Sequence, residues 1–204
     1  MYQTRARRVN RSSRLARLES IAKSLGSSLP KLFLALVYIA FSRLSGSREI
    51  VLGFTVHNRM DKAFRRTIGL LAANVPCRLN IDPASSFRDA LHHVDVNFLR
   101  DLKHARFPVG QLSSSLGLSR QGRGLYDVLV NYVPAHSLHD FAGLAARITN
   151  LTPGLMLPWS VTIYERGASG DPELVVGYDP GLVDAAEARR LSQCLAALAT
   201  PGLR

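Results

Sequence analysis

The chain has 204 residues, 47% of them hydrophobic and 20% charged, which is enough for one globular core and excludes a disordered or low-complexity protein. Its 26 basic residues outnumber 15 acidic ones, giving +11 and a pI near 10.5. That balance points to an acidic partner, nucleic acid or an anionic surface, and is silent on fold. The two cysteines, Cys77 and Cys194, form no CxxC pair, so reduced thiols and a cytoplasmic setting are expected. The longest apolar run, Leu32–Phe41, is about half of the roughly 20 residues a membrane span needs, and it lies too late for a secretory signal.

Residues 1–11 read as a basic, frayed segment. From Ser12 to Leu25 the spacing of Leu15, Leu18, Ile21, Ala22 and Leu25 predicts a helix that stops at Gly26. Arg5, Arg7, Arg8, Arg11, Arg14, Arg17 and Lys23 face only Glu19. A nucleic-acid arm is one reading, but no aromatic residue interleaves with the arginines after Tyr2 and no zinc-finger or helix-turn-helix pattern follows. A solvated helix face explains the charge better, so nucleic acid is disfavoured. An Arg-rich mitochondrial presequence is a lesser alternative.

Ser27 or Ser28 caps a second helix, Leu29–Leu44, with Pro30 in its first turn and Gly46 at its end. It is apolar around most of its circumference, which predicts burial on more than one side. Ile50–Val56 then reads as a strand carrying Gly53, and His57–Arg66 as an exposed polar loop. The apolar segment Ile68–Ala73, with Gly69, leads through Asn74 and Pro76 into a strand, Val75–Ile81. Such a segment suits backbone passing close to a ligand or a neighbouring lobe.

GFTVHNR, Gly53 to Arg59, resembles the "vG-x-x-v-x-x-R" strand end of condensation domains of nonribosomal peptide synthetases, in the chloramphenicol-acetyltransferase-like superfamily. IGLLAANVPCR, Ile68 to Arg78, resembles that family's "iGlfvNtlplR". Ile68, Gly69, Leu70, Pro76 and Arg78 fall in register, while Asn74 sits one place late with Ala73 in the asparagine's slot. LALVYIAFSRLSGSREIVLGF follows the family's helix that feeds the Gly53 strand.

A helix capped by Ser85 or Ser86 runs to about Ala105, with Phe87, Leu91, Val94, Phe98 and Leu102 on one face. It contains HHVD, at His92, His93 and Asp95. The family's HHxxxDG places its second histidine beside the new amide bond. Here Asn97 and Phe98 stand where that motif has Asp and Gly, and both histidines flank the apolar stripe of a regular helix. Two surface histidines are therefore expected rather than a catalytic pair.

HARFPVGQL, His104 to Leu112, resembles "h-q-x-y-P-f-e-x-l", and Pro108 opens a short helix ending at Gly117. SRQGRG is a breaker before the strand Tyr126–Val133. Its Arg120 and Arg123 either solvate a turn or match an arginine-containing family segment that would touch a carrier protein. Arg147–Leu151, Ser160–Glu165 and Glu173–Tyr178 read as strands, with RGASGDP as a turn, and Asp184 caps a closing helix whose Ala188, Leu191, Leu195 and Leu198 face inward. Trp159 is either a tunnel cap or, as a lone Trp more often is, core. His136, His139 and Asp140 lack a third ligand motif, so no metal is expected. No GxSxG elbow or P-loop occurs.

The resemblance covers about Ser12 to Leu198 and matches only the second half of a condensation domain. It implies an α/β fold over residues 12–204: a two-layer αβ sandwich, mixed β-sheet with helices packed on one face, as in one lobe of a CoA-dependent acyltransferase-like fold. It implies the C-terminal lobe of a machine that forms amide bonds between thioester substrates, inactive alone because the HHxxxDG half is absent. Partners would be that missing N-terminal lobe or another copy of itself, and an acyl or peptidyl carrier protein. No cofactor would bind this chain; phosphopantetheine arms on the carriers would bring the substrates. Arg59, Gly69, Asn74, Arg78 and Trp159 are the residues expected at the substrate tunnel or the lobe contact. A non-enzymatic basic binding module is the alternative.

Overall fold

A computed structural model describes residues 2–5 and 12–198, apart from 60, 83, 119–123, 135–156 and 166–172, with side chains from residue 16 onward. Helix α2, Leu29–Ser45, is its spine. Pro30 suits the first turn, where no N–H is needed. Gly46 closes the other end in the left-handed conformation, donating its N–H to Ser42 O. Leu29, Leu32 to Tyr38, Ala40 and Phe41 are all buried, as an all-round apolar helix requires. Helix α1, Ser12–Ser24, lays Leu18 and Ala22 into the core beside it.

The sheet has six strands: β1 (Tyr2–Arg5), β2 (Glu49–Val56), β3 (Ala73–Asn80), β4 (Val128–Val133), β5 (Trp159–Tyr164) and β6 (Glu173–Tyr178). Their order is β1-β6-β5-β4-β2-β3. The β2–β4 and β4–β5 pairs are parallel, and the others antiparallel. Register sets Leu52 opposite Cys77 and Val128, Phe54 opposite Val75 and Val130, and Trp159 beside both Val128 and Tyr178. Because side chains alternate along a strand, these residues share one face. It lies buried under α2, α4 (Phe87–Leu102) and α6 (Ala185–Leu198). The other face carries half-exposed Thr55, Asn74, Asn131, Ser160 and Thr162. This is the expected two-layer α/β sandwich with a mixed sheet.

Tyr38 ties the layers together. Its hydroxyl donates to Arg48 O and accepts the Ile81 N–H at 2.9 Å, so one buried phenol satisfies backbone at the start of β2 and beyond the end of β3.

Two elements differ from the sequence reading. Tyr2–Arg5, expected to fray, pairs with β6 as an edge strand, Tyr2 opposite Tyr178, because β6 otherwise leaves a row of backbone groups unpaired. Within the polar His57–Arg66 loop a short helix, α3 (Lys62–Arg66), forms because Asp61 caps it, accepting the Phe64 N–H at 2.9 Å. The strand expected at Arg147–Leu151 and the RGASGDP turn lie outside the described residues.

Cys77 is fully buried on β3, and burial, aided by the Asp101 charge, pushes its thiol up from 9.0 to about 12. The folded chain therefore holds this proton in a range where the unfolded chain releases it. The stabilisation is complete below about pH 9 and is lost as pH rises toward 12. At about pH 8 an aromatic disulfide reagent is expected to modify half-buried Cys194 in the native chain, and Cys77 only on unfolding. Equal reaction of both thiols would contradict this packing.

Candidate functional site

β2 ends at Val56, and the chain turns at Asn58, whose φ of 51° is a left-handed value that asparagine tolerates better than most residues. Arg59 then organises the following loop. Its Nη1 donates to Phe64 O and Thr67 O, each at 2.6 Å, and its Nη2 donates to Gly69 O at 2.9 Å. Three carbonyls on one planar guanidinium fix a loop that has no apolar core of its own. A fourth tie comes from Arg106, which pairs with Asp61 at 3.2 Å and stacks 4.7 Å over the Phe64 ring. The Phe64 N–H, together with Arg106, holds the Asp61 carboxyl below its ordinary range.

At the tip Gly69 adopts φ 147°, a conformation essentially reserved for glycine. On either side of it Ile68 is 100% and Leu70 93% exposed. Two fully exposed aliphatic side chains on a pinned loop are unusual for a free surface.

Behind the loop lies an open cleft of about 600 Å³. Its walls come from Asn58 after β2, Asn74 on β3, Arg106 and Phe107 from the turn before α5 (Val109–Ser115), Tyr126 before β4, and Leu157 before β5. Asn74 is oriented by Thr55, whose Oγ1 donates to Asn74 Oδ1 at 2.9 Å. Burial raises the Tyr126 phenol, and a hydrogen bond from Asn74 works against that rise. The Tyr126 ring packs against Gly53, where a Cβ would sit 2.4 Å from Cε2. The close approach that Gly53 permits is thus to this ring.

Arg106 and Tyr126 are the ionisable residues among those lining the cleft; histidine, carboxylate and thiol are not among them. These described walls can bind and orient a substrate. They hold no group suited to taking a proton near neutral pH.

Of the residues singled out in the sequence, Arg59 and Gly69 come together directly and Asn74 lines the cleft. Ala73, in the family asparagine's slot, lines it too. Arg78 does not. It lies exposed toward the other end of the β2–β3 ladder, where its Nη2 pairs with Glu49 Oε1 at 2.7 Å. Trp159 is corrected from tunnel cap to core: it is buried edge-on to Phe41 at 5.5 Å and tilted to Tyr178 at 6.4 Å. Strand alternation explains this, since Trp159 shares a face with Val161 and Ile163.

Arg120 and Arg123 lie outside the described residues, as do His136, His139 and Asp140. His92 and His93 are exposed on α4, and the neighbouring Asp95 is taken up by Ser27 Oγ and Lys31 Nζ, each at 2.7 Å. Among the described residues no group of three His, Cys, Asp or Glu side chains could hold a metal.

Asn58 and Tyr126 were not legible as site residues. Gly53 carried the one available signal, since a glycine inside a strand often marks something packed closely on that face.

A mixed sheet covered on one face, with a substrate-sized cleft at its edge, defines an α/β binding lobe. The family model of the condensation domain matches residues 3–149, and the chain belongs to that family. It is 25% identical over 181 residues to an isonitrile lipopeptide synthase of Streptomyces coeruleorubidus, covering 89% of this chain and 12% of the relative. It is 23% identical over 149 residues to a dimodular nonribosomal peptide synthase of Bacillus subtilis strain 168, covering 73% of this chain and 6% of the relative.

Among solved structures, the first condensation domain of the calcium-dependent antibiotic synthetase, in complex with a substrate analogue, superposes with a TM-score of 0.80 at 22% identity, covering 100% of this chain and 44% of that one. The X-domain from teicoplanin biosynthesis gives 0.74 at 20% identity, covering 100% and 48%. The chain thus spans a small part of those synthases and less than half of each solved chain. Among the described residues no single helix is long and apolar enough to cross a membrane.

Proposed function

We propose that this chain is the C-terminal lobe of a condensation domain, forming one wall of the chamber in which two carrier-bound thioesters are joined by an amide bond during nonribosomal peptide assembly in the cytoplasm. The observation that carries this reading is the pairing of a substrate-sized cleft, lined by Asn58 and Ala73, with the pinned loop between those two residues in the chain, on which Ile68 and Leu70 stand exposed. In this reading those side chains meet a second lobe, which brings the HHxxxDG histidine, on the same polypeptide or another. The substrates arrive on phosphopantetheine arms, and the +11 charge steers acidic carrier proteins toward the surface. The lobe contributes by placing the reactants, a contribution worth up to about 7–11 kcal/mol in favourable systems.

The test is amide formation from an acyl-loaded and an aminoacyl-loaded carrier, followed by mass spectrometry. The chain with a lobe bearing HHxxxDG is expected to give product, and the chain alone none. Replacing both His92 and His93 with alanine is expected to leave the rate within about twofold, since both lie exposed on α4. Product from the chain alone, lost in the double alanine variant, would overturn the reading.

A further inference from the structure

The segment between the cleft residues Asn58 and Ala73 exposes two kinds of side chain that a free surface seldom combines. Ile68 and Leu70 stand in solvent at its tip. Lys62, Arg65 and Arg66 are exposed on α3 just before them, and among the described residues none of the three pairs with a carboxylate. Asp61, the single acidic residue of the segment, is already taken by the Phe64 N–H and by Arg106. The Arg59 clamp gathers the carbonyls of Phe64, Thr67 and Gly69 around one guanidinium, so the helix that bears the cations and the tip that bears the aliphatics stay together. A surface that covers this segment well must supply apolar contact and negative charge side by side.

We infer that residues 62–70 recognise an acidic protein partner: Ile68 and Leu70 enter an apolar notch, and carboxylates on its rim face Lys62, Arg65 and Arg66. The inference rests on the reading of this chain as one lobe of two, and adds the chemistry of the surface that the second lobe brings. It also decides against a second copy of this chain as that lobe. A symmetric contact would set the same patch on both copies, cation against cation, and a head-to-tail contact would join two bodies of +11 each. Both ends of the segment line the cleft, so a partner seated here borders the substrate space, which a lipid surface has no reason to do.

The experiment is calorimetric titration of the 204-residue chain with a lobe bearing HHxxxDG at about 0.05 and about 0.5 M salt, beside sedimentation of the chain alone and with phosphatidylglycerol vesicles. Wild type is expected to bind the lobe about tenfold more weakly at the higher salt, and to sediment alone as a monomer at both. Lys62→Gln, Arg65→Gln and Arg66→Gln together are expected to weaken low-salt binding about tenfold and to remove most of the salt dependence. Ile68→Ser with Leu70→Ser is expected to weaken binding at least about tenfold at both salts, with the ratio between them unchanged. All these side chains are exposed, so both variants keep the fold, which circular dichroism checks. Binding that ignores salt and the glutamine variant, in a mixture that forms the amide product, would overturn the acidic rim and leave the two-lobe reading standing. So would a dimer of the chain alone that the serine variant loses, or vesicle binding through Ile68 and Leu70 that competes with the lobe. No binding to the lobe and no amide product would overturn both.

Discussion

Replacing Trp159 with alanine is expected to cost about 3–5 kcal/mol, a large share of the roughly 5–15 kcal/mol that holds a domain folded. The indole is buried edge-on to Phe41 and against Tyr178, so its removal leaves a cavity between α2 and the β5–β6 pair. Trp159→Phe refills much of that space and is expected to cost less than half as much. The chain has one tryptophan, so in the parent its emission follows unfolding directly; circular dichroism serves for the variants. If the side chain instead capped an open tunnel, the alanine variant would unfold within a degree or two of the parent, a surface-sized effect.

The second large effect is expected at Gly53. A methyl group there would lie 2.4 Å from Tyr126 Cε2, 2.6 Å from Cζ and 2.7 Å from Cδ2, so the whole ring must move. Gly53→Ala is expected to cost about 1–3 kcal/mol and to lower the melting temperature by several degrees, despite the better intrinsic fit of alanine to a strand. The cost should nearly vanish when Tyr126 is also alanine, because the clash is with one side chain. An equal cost in both backgrounds would place the strain in the β2 backbone instead, and would remove the basis for a fixed Tyr126 in the cleft.

Much of the fold was legible because its elements bury one face. The alternation of Val75, Cys77 and Leu79 in β3 and the three-and-four spacing of α4 and α6 are written in their apolar residues, β2 shows as a branched and aromatic run, and the structure ends these elements within a few residues of the expected positions. The elements that were missed carry no such pattern. KAFRR has no buried residue and turns helical through the Asp61 cap beside the Arg59 clamp. YQTR is too short to show alternation, and joins the sheet because β6 offers an open edge.

The site divides in the same way. Arg59, Gly69 and Asn74 stood out because their surroundings in sequence demanded explanation. Asn58 and Tyr126 lie far apart along the chain, and only the parallel β2–β4 pairing brings their neighbourhoods together. Trp159 is misplaced when a family position is weighed above strand parity: WSVTIY already sets Trp159 on the same face as Val161 and Ile163.

In the proposed assembly, the loop that carries Ile68 and Leu70 is the surface on which a second lobe closes. Photochemical carbene labelling measures this directly, with Leu182, 69% exposed on another part of the molecule, as the internal reference. In the chain alone, Ile68, Leu70 and Leu182 are expected to label strongly. On addition of a lobe bearing HHxxxDG, Ile68 and Leu70 should be protected while Leu182 is unchanged. Undiminished labelling of Ile68 and Leu70 in a mixture that forms the amide product would contradict the account.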